Sequence, residues 1–159
     1  MDPSLTRSSS LFLREEELKR GMELILLAHR ALTDALDAAL SEAKLGHADY
    51  RALLLIGRRP GISISRLQHL LRIKKQSLAR VLDHLLAQEL ILQEPDPADR
   101  RRRALTLTRR GAELERELFK SLRGRVAAAY RHAGADAVGG FWDVLVALAG
   151  DEPTGEAGG

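Results

Sequence analysis

The 159-residue sequence predicts a mainly α-helical domain that carries one small β-hairpin. Leucine and alanine dominate its composition, whereas only 4% of the residues are aromatic, and this balance favours helices over sheet. Apolar residues recur at a helical spacing along most of the chain. Between Leu90 and Leu107 the spacing changes to alternation, which is typical of strands.

The first predicted element is a long helix from about Ser10 to Ala43. Ser10 can cap it, and the acidic run Glu15–Glu17 suits the positive end of the helix dipole. The run Leu24–Leu27 makes its middle apolar on nearly every side. We therefore expect partners on more than one face, a subunit interface among them. Residues 1–9 are polar and are expected to be disordered.

The next segment predicts three shorter helices separated by turns. The first runs from about Ala48 to Gly57, and Arg59–Gly61 then forms a turn. Ser63 caps a second short helix, whose inner face includes Leu67. The third spans about Lys75 to Gln88 and has a regular apolar stripe. That stripe consists of Leu78, Val81, Leu82, Leu85 and Leu86.

A β-hairpin is predicted to follow these helices, with strands Leu90–Gln93 and Arg103–Leu107 joined by a loop over Glu94–Arg102. Two short helices, a longer helix and a hairpin, in this order, form a winged helix-turn-helix. Each piece has its own periodicity, so the order itself is informative.

Two helices are predicted to complete the fold. Thr108 caps the first, which continues to about Arg131, and the second spans about Ala137 to Ala149. Phe141 and Trp142 give the second helix a large apolar surface. Residues 150–159 are rich in glycine and acids and are expected to be disordered.

The composition excludes several classes of protein. The chain contains no cysteine, so disulfides and thiol chemistry are excluded. No apolar run approaches the length of a membrane span and no signal peptide is evident, so we expect a cytoplasmic protein without a membrane partner. The five histidines show no metal-binding spacing, and no nucleophile or nucleotide-binding motif is present. We therefore expect neither an enzyme nor a protein with a cofactor or a metal.

Charge is distributed unevenly along the chain. The segment Arg58–Arg110 holds 13 Arg and Lys against 5 Asp and Glu, whereas the rest of the chain holds 12 against 17. A basic middle between acidic flanks indicates a polyanion-binding core. The alternative is a charge-rich surface that is merely solvated.

The predicted Lys75–Gln88 helix has an outer face suited to DNA. Gln76 and Arg80 lie on one row opposite the leucines, and their side chains can bind adenine and guanine edges. Lys74, Lys75 and Ser77 lie at or near the N-terminus, where backbone amides also bind phosphate. An ordinary solvated face would explain Asp83 and His84 on this helix. It explains a lysine-rich start poorly, because cations oppose the helix dipole there.

Four consecutive arginines, Arg100–Arg103, span the end of the hairpin loop and the first residue of the returning strand. The tip of a wing meets the DNA backbone or a narrow minor groove, which attracts arginine. We therefore place Asp99, Arg100, Arg101 and Arg102 in the interface, with Asp96 and Asp99 orienting the arginines. The alternative is a solvated loop with local ion pairs.

These residues resemble the MarR family of bacterial transcriptional regulators over roughly Gly46–Leu118. The most specific matches are Asp96–Arg101, similar to the family's DxRR wing, and Ala104–Gly111, similar to the LT-x-x-G that starts its next helix. Arg72 and Glu89 depart from the family pattern, which often has glycine in left-handed backbone at both positions.

The resemblance implies a homodimer that binds a pseudo-palindromic double-stranded DNA operator and regulates transcription. Residues 10–149 would form a single domain, with dimerisation helices over 10–45 and 109–149 and a DNA-binding lobe over 46–108. It also implies a small-molecule effector, phenolic or anionic in many relatives. The residues that would line this site are His29, Arg30, His47, Tyr50 and Arg51. Alternatively, His29 fills the core and Tyr50 simply packs.

A second hypothesis is a winged-helix module that binds protein or RNA. It predicts an apolar exposed face on the Lys75–Gln88 helix, and the polar row of Gln76 and Arg80 argues against it. The sequence leaves open the operator, the regulated genes and the direction of regulation.

Overall fold

A computed structural model describes residues 11–150, which fold into helices and one small antiparallel sheet. The mainly α class with a β-hairpin wing is confirmed. The helices are α1 Glu15–Ala43, α2 His47–Arg58, α3 Ile64–Leu71, α4 Lys75–Ala87, α5 Arg109–Ala133 and α6 Ala135–Ala149. The strands are β1 Ile62–Ser63, β2 Ile91–Pro95 and β3 Arg103–Leu107. The chain divides at Asp37 into an N-terminal and a C-terminal compact unit.

The N-terminal unit consists mainly of the first part of α1. This helix begins at Glu15, later than predicted, because Leu11–Leu13 forms a separate 3-10 turn. Arg14 accepts the first intrahelical bond, from the Leu18 amide at 3.0 Å. The predicted cap, Ser10, lies outside the described residues. The predicted apolar surface is present, and its large side chains are more than half exposed in the single chain. They are Leu18, Met22, Leu24, Leu26 and Leu27.

The core of the C-terminal unit lies between α2, the helix-turn-helix and the sheet. Leu53 and Ile56 of α2 are fully buried. The N-terminus of α2 is capped from within, because the Asp49 carboxylate accepts a hydrogen bond from the Gly46 amide at 2.8 Å. The other fully buried large side chains are Leu67, Leu78, Leu85, Leu90, Ile91, Leu105 and Leu118.

The helix-turn-helix consists of α3 and α4 and agrees closely with its prediction. Ser63 caps α3, accepting a hydrogen bond from the Arg66 amide at 3.1 Å. In the turn, Arg72 has φ 50° and ψ 42°, which is left-handed backbone without glycine. The predicted apolar stripe of α4 packs inward. Its buried members are Leu78, Val81, Leu82 and Leu85.

The sheet differs from the prediction in two respects. It has three strands, in the order β1-β3-β2, because Ile62 and Ser63 pair with Leu105 and Ala104. In addition, β2 spans Ile91–Pro95 rather than 90–93, so the loop is shorter than predicted and covers 96–102. Leu90 lies outside β2 and contributes to the C-terminal cap of α4, since its amide donates to the Leu85 carbonyl at 2.9 Å.

A close contact joins the end of α4 to the start of α5. Glu89 is left-handed, with φ 56°, and its carbonyl accepts a hydrogen bond from the Thr108 hydroxyl at 2.7 Å. Thr108 also caps α5, as predicted, accepting from the Gly111 amide at 2.9 Å. A Cβ on Gly111 would lie 1.9 Å from the Leu90 carbonyl oxygen, so this approach requires glycine. The two ends of the hairpin are thereby held together.

The C-terminal helices α5 and α6 are joined at Gly134. The α6 helix begins at Ala135, two residues earlier than predicted. Tyr130 and Trp142 make an edge-on ring contact, and the indole N–H donates to the Tyr130 hydroxyl at 3.0 Å. Several large apolar side chains of α6 remain exposed in the single chain: Phe141, Trp142, Val144, Leu145 and Leu148. At the end of α6, Gly150 forms the left-handed cap, so this residue does not belong to a disordered tail.

Candidate nucleic-acid interface

The outer face of α4 is polar. Gln76 and Arg80 are exposed and lie opposite the buried Leu78 and Leu82, as the helical period requires. Both side chains are long, carry planar hydrogen-bonding groups and project from the same side of the helix. This face can therefore present donors and acceptors to a groove of DNA.

The N-terminus of α4 is cationic. Lys74 is the cap residue in extended backbone and supplies no side-chain cap, and Lys75 begins the helix. The first turn carries no acidic residue. Lys75 and Ser77 are exposed beside the free amides of this turn. Such an arrangement binds an anion more readily than a cation, because the amides and the lysines add their positive potential.

The tip of the wing is held by its two aspartates. Asp96 accepts a hydrogen bond from the Ala98 amide at 2.8 Å, and Asp99 accepts from the Arg101 amide at 3.0 Å. Asp99 also lies 3.7 Å from Nε of Arg102. The prediction was that both aspartates orient arginine side chains by short charged hydrogen bonds. The Asp99–Arg102 ion pair is too long for such a bond. Asp96 shapes the backbone of the loop instead.

The helix-turn-helix and the wing enclose a cleft of about 580 Å³. Lys75 lies on its helical side, and Arg101 and Arg102 lie on its wing side, so the structure brings together three predicted site residues. Arg100, Gln76 and Arg80 are exposed outside the lining of the cleft. The lining comprises Ser63, Ile64, Ser65, Gln68, Lys75, Leu78, Ala79, Leu82, Asp83, Gln93, Arg101, Arg102 and Arg103.

Several polar residues of this cleft were not predicted as site residues. Arg103 was assigned to the returning strand, yet its side chain is exposed and lines the cleft beside Arg102. Gln93 lies on β2 opposite Leu105 of β3, and Ser65 lies in the first turn of α3. The alternation along β2 could have indicated Gln93. Ser65 lines the cleft because the N-terminus of α3 lies near the wing. This proximity arises in the tertiary structure, so no local sequence pattern indicates it.

His84 of α4 is not part of a merely solvated face. Its Nδ1 lies 3.0 Å from Oδ2 of Asp49. Asp49 is a buried residue, with an exposed fraction of 6%. The Gln88 amide lies 2.9 Å from Nε2 of His84 and also donates to the Lys44 carbonyl at 3.4 Å. The two ring nitrogens of His84 thus contact one side chain each, Asp49 and Gln88. The network fixes the C-terminal half of α4 against the start of α2.

The residues of the predicted effector site have contrasting environments. His29 and Arg30 are exposed in the N-terminal unit, where Arg30 lies 3.7 Å from Asp34. In the C-terminal unit, Arg51 is exposed and Tyr50 is 5% exposed. The alternative that His29 fills the core is wrong for the single chain. The alternative that Tyr50 packs is correct.

Tyr50 and Glu115 are electrostatically linked across α2 and α5. Burial raises the pKa of Tyr50 above its ordinary value of 10.0, and the negative charge of Glu115 raises it further. Burial also raises the pKa of Glu115 above 4.5, an effect that Arg116 partly opposes. Glu115 lines a separate cavity of about 400 Å³ with Arg58, Arg116 and apolar side chains of α2, β3 and α5. Both groups therefore hold their protons more tightly in the folded chain than at their ordinary pKa values.

Over the described range 11–150, no cluster of three or more histidine, aspartate or glutamate side chains could hold a metal ion. Within the same range, no helix combines the length and the apolarity that crossing a membrane requires.

Comparison with known proteins identifies the family. A model of the MarR family matches residues 44–102. The HTH-type transcriptional regulator PetP of Rhodobacter capsulatus is 43% identical over 138 residues, which cover 87% of this chain and 83% of that protein. The chain belongs to the MarR family. It is therefore a transcriptional regulator of this family, as the resemblance of the wing and the α5 start implied.

Solved structures of the MarR family share its fold. A crystal structure of MarR is 31% identical, with a TM-score of 0.63, and the match covers 86% of this chain and 90% of that one. A mutant MarR from E. coli, complexed with operator DNA, is 22% identical with a TM-score of 0.61. That match covers 87% of this chain and 97% of that one. At the two positions where the family often has glycine, Arg72 and Glu89 adopt the left-handed backbone themselves.

Proposed function

We propose that the chain binds double-stranded DNA in a sequence-specific manner, as a homodimer on a pseudo-palindromic operator. The observation that carries this proposal is the cleft between α4 and the wing. Lys75 and Arg101–Arg103 converge there, beside the exposed Gln76 and Arg80. Such a concentration of cations suits a polyanion, because Asp83 is the only acidic side chain among the described residues that line the cleft.

The two parts of the interface have different tasks in this proposal. Helix α4 enters the major groove, where Gln76 and Arg80 contact base edges while Lys74, Lys75 and Ser77 bind phosphates. The wing lies along the neighbouring backbone, where Asp99 holds the loop and Arg100, Arg101 and Arg102 meet phosphates or the minor groove. Arg103 and Gln93 extend this surface toward α4.

The exposed apolar faces of α1 and α6 support homodimerisation. Leu24, Leu26 and Leu27 are each more than half exposed, as are Trp142 and Leu148. Surfaces of this size are costly in water and mark interaction sites in proteins. We assign residues 10–45 and 109–149 to dimerisation and residues 46–108 to DNA binding, within one domain over 10–149. A second copy of the chain would cover these faces and place two α4 helices on one duplex.

We also propose that a small-molecule effector modulates DNA binding through His29, Arg30, His47, Tyr50 and Arg51. Their arginines and histidines would bind an anionic group, and the Tyr50 ring would pack against the ligand. Thermal denaturation in the presence of phenolic carboxylates measures such binding directly. A stabilising compound that no longer stabilises an Arg51→Ala variant would support this assignment, and a shift unaffected by Arg51→Ala would contradict it.

The decisive experiment is to map where the purified protein binds the genomic DNA of its own organism. Protection of a short two-fold symmetric site is the expected result. Titration of that site, of a random duplex and of a single-stranded RNA of equal length tests the alternative of an RNA- or protein-binding module. Equal affinity for all three would contradict sequence-specific binding to double-stranded DNA.

A further inference from the structure

Arg72 contacts the C-terminal ends of two helices at once. Its backbone amide donates to the Gln68 and His69 carbonyls at 2.9 and 3.3 Å, which caps α3. Its side chain donates from Nη2 to the Ala149 carbonyl at 3.2 Å, which caps α6. The two helices are 77 residues apart along the chain at this contact. Arg72 therefore joins the turn of the helix-turn-helix to the last turn of α6.

The backbone of Arg72 is strained, because this residue adopts the left-handed conformation without being glycine. A non-glycine residue in left-handed conformation costs roughly 1 kcal/mol relative to glycine. Glycine would relieve that strain but would lack a side chain to reach α6. The long-range hydrogen bond to α6 best explains why a strained arginine, rather than glycine, occupies this position.

The chemistry of the contact suits a guanidinium. The last carbonyls of a helix have no intrahelical partner, and the C-terminus carries partial negative charge. The Arg72 side chain extends from the C-terminus of α3, so that its cation lies beside the negative end of α6. Gly150 caps α6 in left-handed backbone with φ 70°, and a Cβ built on it would lie 4.0 Å from Nη2 of Arg72. A side chain at position 150 would therefore come into contact with the Arg72 guanidinium.

The hydrogen bond between Arg72 and α6 lies close to the N-terminus of α4. Arg72 precedes Lys74, the cap residue of α4, by two residues. The Gln68 side chain also donates to the Ile73 carbonyl, at 3.4 Å, so the turn is fixed on both sides. A displacement of the end of α6 would thus be transmitted to the N-terminus of the helix that we place in the major groove.

We propose that Arg72 is a positioning residue that couples α6 to α4 and so sets the spacing between the two α4 helices of the dimer. This inference rests on the proposed function, because spacing has meaning only if α6 belongs to a dimer interface. It also differs from a simple DNA contact, in which Arg72 would bind a phosphate beside the turn. The two roles change different properties of DNA binding.

The test uses Arg72→Asn, because asparagine tolerates left-handed backbone and cannot reach α6. Its affinity is measured for the mapped operator, for operators with one base pair inserted or removed between half-sites, and for random duplex. The preference for native spacing should fall by up to about fivefold, as expected for an exposed charged hydrogen bond. Random-duplex affinity and the salt slope should stay unchanged. Equal weakening on all duplexes, with a slope lower by about 1, would assign a phosphate contact instead.

Hydrogen exchange in the free protein tests the tie without DNA. The Gly150 amide, which donates to the Val146 carbonyl at 3.1 Å, should exchange faster in Arg72→Asn. Gly150→Val, which strains the same cap, should reduce spacing preference as Arg72→Asn does, and the double variant should be no worse. Unchanged exchange, or additive losses, would overturn the coupling. If the wild-type protein shows no preference for half-site spacing, the dimer proposal fails. Hydrogen exchange of the Gly150 amide then decides by itself whether Arg72 stabilises the end of α6.

Discussion

Gln76 and Arg80 differ from Lys75 in the DNA contacts that their side chains can make. An amide or a guanidinium forms two parallel hydrogen bonds with one base, whereas an ammonium acts as a point charge. We therefore predict that Gln76→Ala or Arg80→Ala costs about 1–3 kcal/mol on the operator and relaxes the preference at one or two base pairs. Binding to random DNA should change little. Lys75→Ala should weaken both kinds of binding to a similar extent.

Titrations of the operator, of single-base operator variants and of random duplex at one salt concentration check this division. Equal losses of operator and random-duplex affinity for Gln76→Ala and Arg80→Ala would mean that both residues bind the backbone. Specificity would then come from DNA shape or from the wing.

Arg101 offers a separate test of the wing. The side chain is exposed at the tip and lines the cleft, so Arg101→Ala should leave folding unchanged. If Arg101 neutralises one phosphate, the slope of log affinity against log salt should fall by about 1. Arg116→Ala is the matched control, because Arg116 is exposed on α5 and lines another cavity. If Arg101→Ala and Arg116→Ala change the slope equally, Arg101 makes no specific phosphate contact and the wing is a solvated loop.

Glu115 makes stability depend on pH in a predictable direction. Its raised pKa means that the folded chain binds the proton more tightly than the unfolded chain does. This stabilisation is complete below the unfolded value of 4.5 and is lost as pH rises through the folded value. Glu115→Gln should therefore be more stable than wild type at pH 7, and the difference should shrink as pH falls through the raised pKa of Glu115 toward 4.5.

Urea denaturation across pH measures this effect, and Glu113→Gln provides the control. Glu113 is exposed on the same helix and forms an ion pair with Arg109 at 2.9 Å. Loss of such an exposed pair should change stability by less than about 1 kcal/mol. A Glu115→Gln variant that is less stable than wild type at pH 7 would show that the charged form is the favoured one.

At the scale of elements, Gly111 determines how α5 meets the hairpin. A Cβ there would overlap the Leu90 carbonyl oxygen, and backbone atoms on both sides leave little room to yield. Gly111→Ala should lower the free energy of unfolding by at least about 1–3 kcal/mol. Gly124 lies in the same helix, and nothing lies within 4 Å of its Cβ position. Gly124→Ala should raise stability by about 0.5–1 kcal/mol, so opposite signs in denaturant titrations check the assignment.

The elements that the sequence predicts well are those set by local interactions. Ser63 and Thr108 cap their helices through bonds that span three residues, and the stripe of α4 follows from helical period alone. The strand β1 was missed because it has two residues and pairs with β3 some 40 residues later. A pair that short carries no periodicity of its own.

The same distinction explains which parts of the candidate site were predicted. Lys75 and Arg101 follow from their positions in a helix start and a loop tip. The His84–Asp49 contact spans 35 residues, and the Arg72–Ala149 contact spans 77. The sequence allowed a solvated face for His84 and marked Arg72 only as a departure from glycine, whereas the tertiary structure gives both side chains partners. Arg103 joins the cleft because β3 extends the wing directly into it.

At the scale of the whole molecule, apolar surface decides the assembly. Leu24, Leu26 and Leu27 of α1 are exposed in the N-terminal unit, and the aromatic residues of α6 are exposed in the C-terminal unit. Burial of each large side chain contributes roughly 1.5–3 kcal/mol. We therefore predict an obligate homodimer. Sedimentation at micromolar concentration should give twice the chain mass of 17.5 kDa. Leu27→Glu, which places a charge on the apolar face of α1, should shift the protein toward a less stable monomer.

Leu92→Glu is the control for this experiment, since Leu92 is a comparably exposed leucine on β2, within the DNA-binding lobe. It should remain dimeric, because the interface that we propose excludes the wing. A wild-type monomer with native-like stability would contradict the prediction. It would also remove the symmetry that pairs two α4 helices with half-sites about one helical turn apart, ~10 base pairs. Leu27→Glu, by dissociating the dimer, should therefore abolish the preference for the symmetric site. Each α4 should keep its weak affinity for a single half-site, because the base contacts lie within one chain.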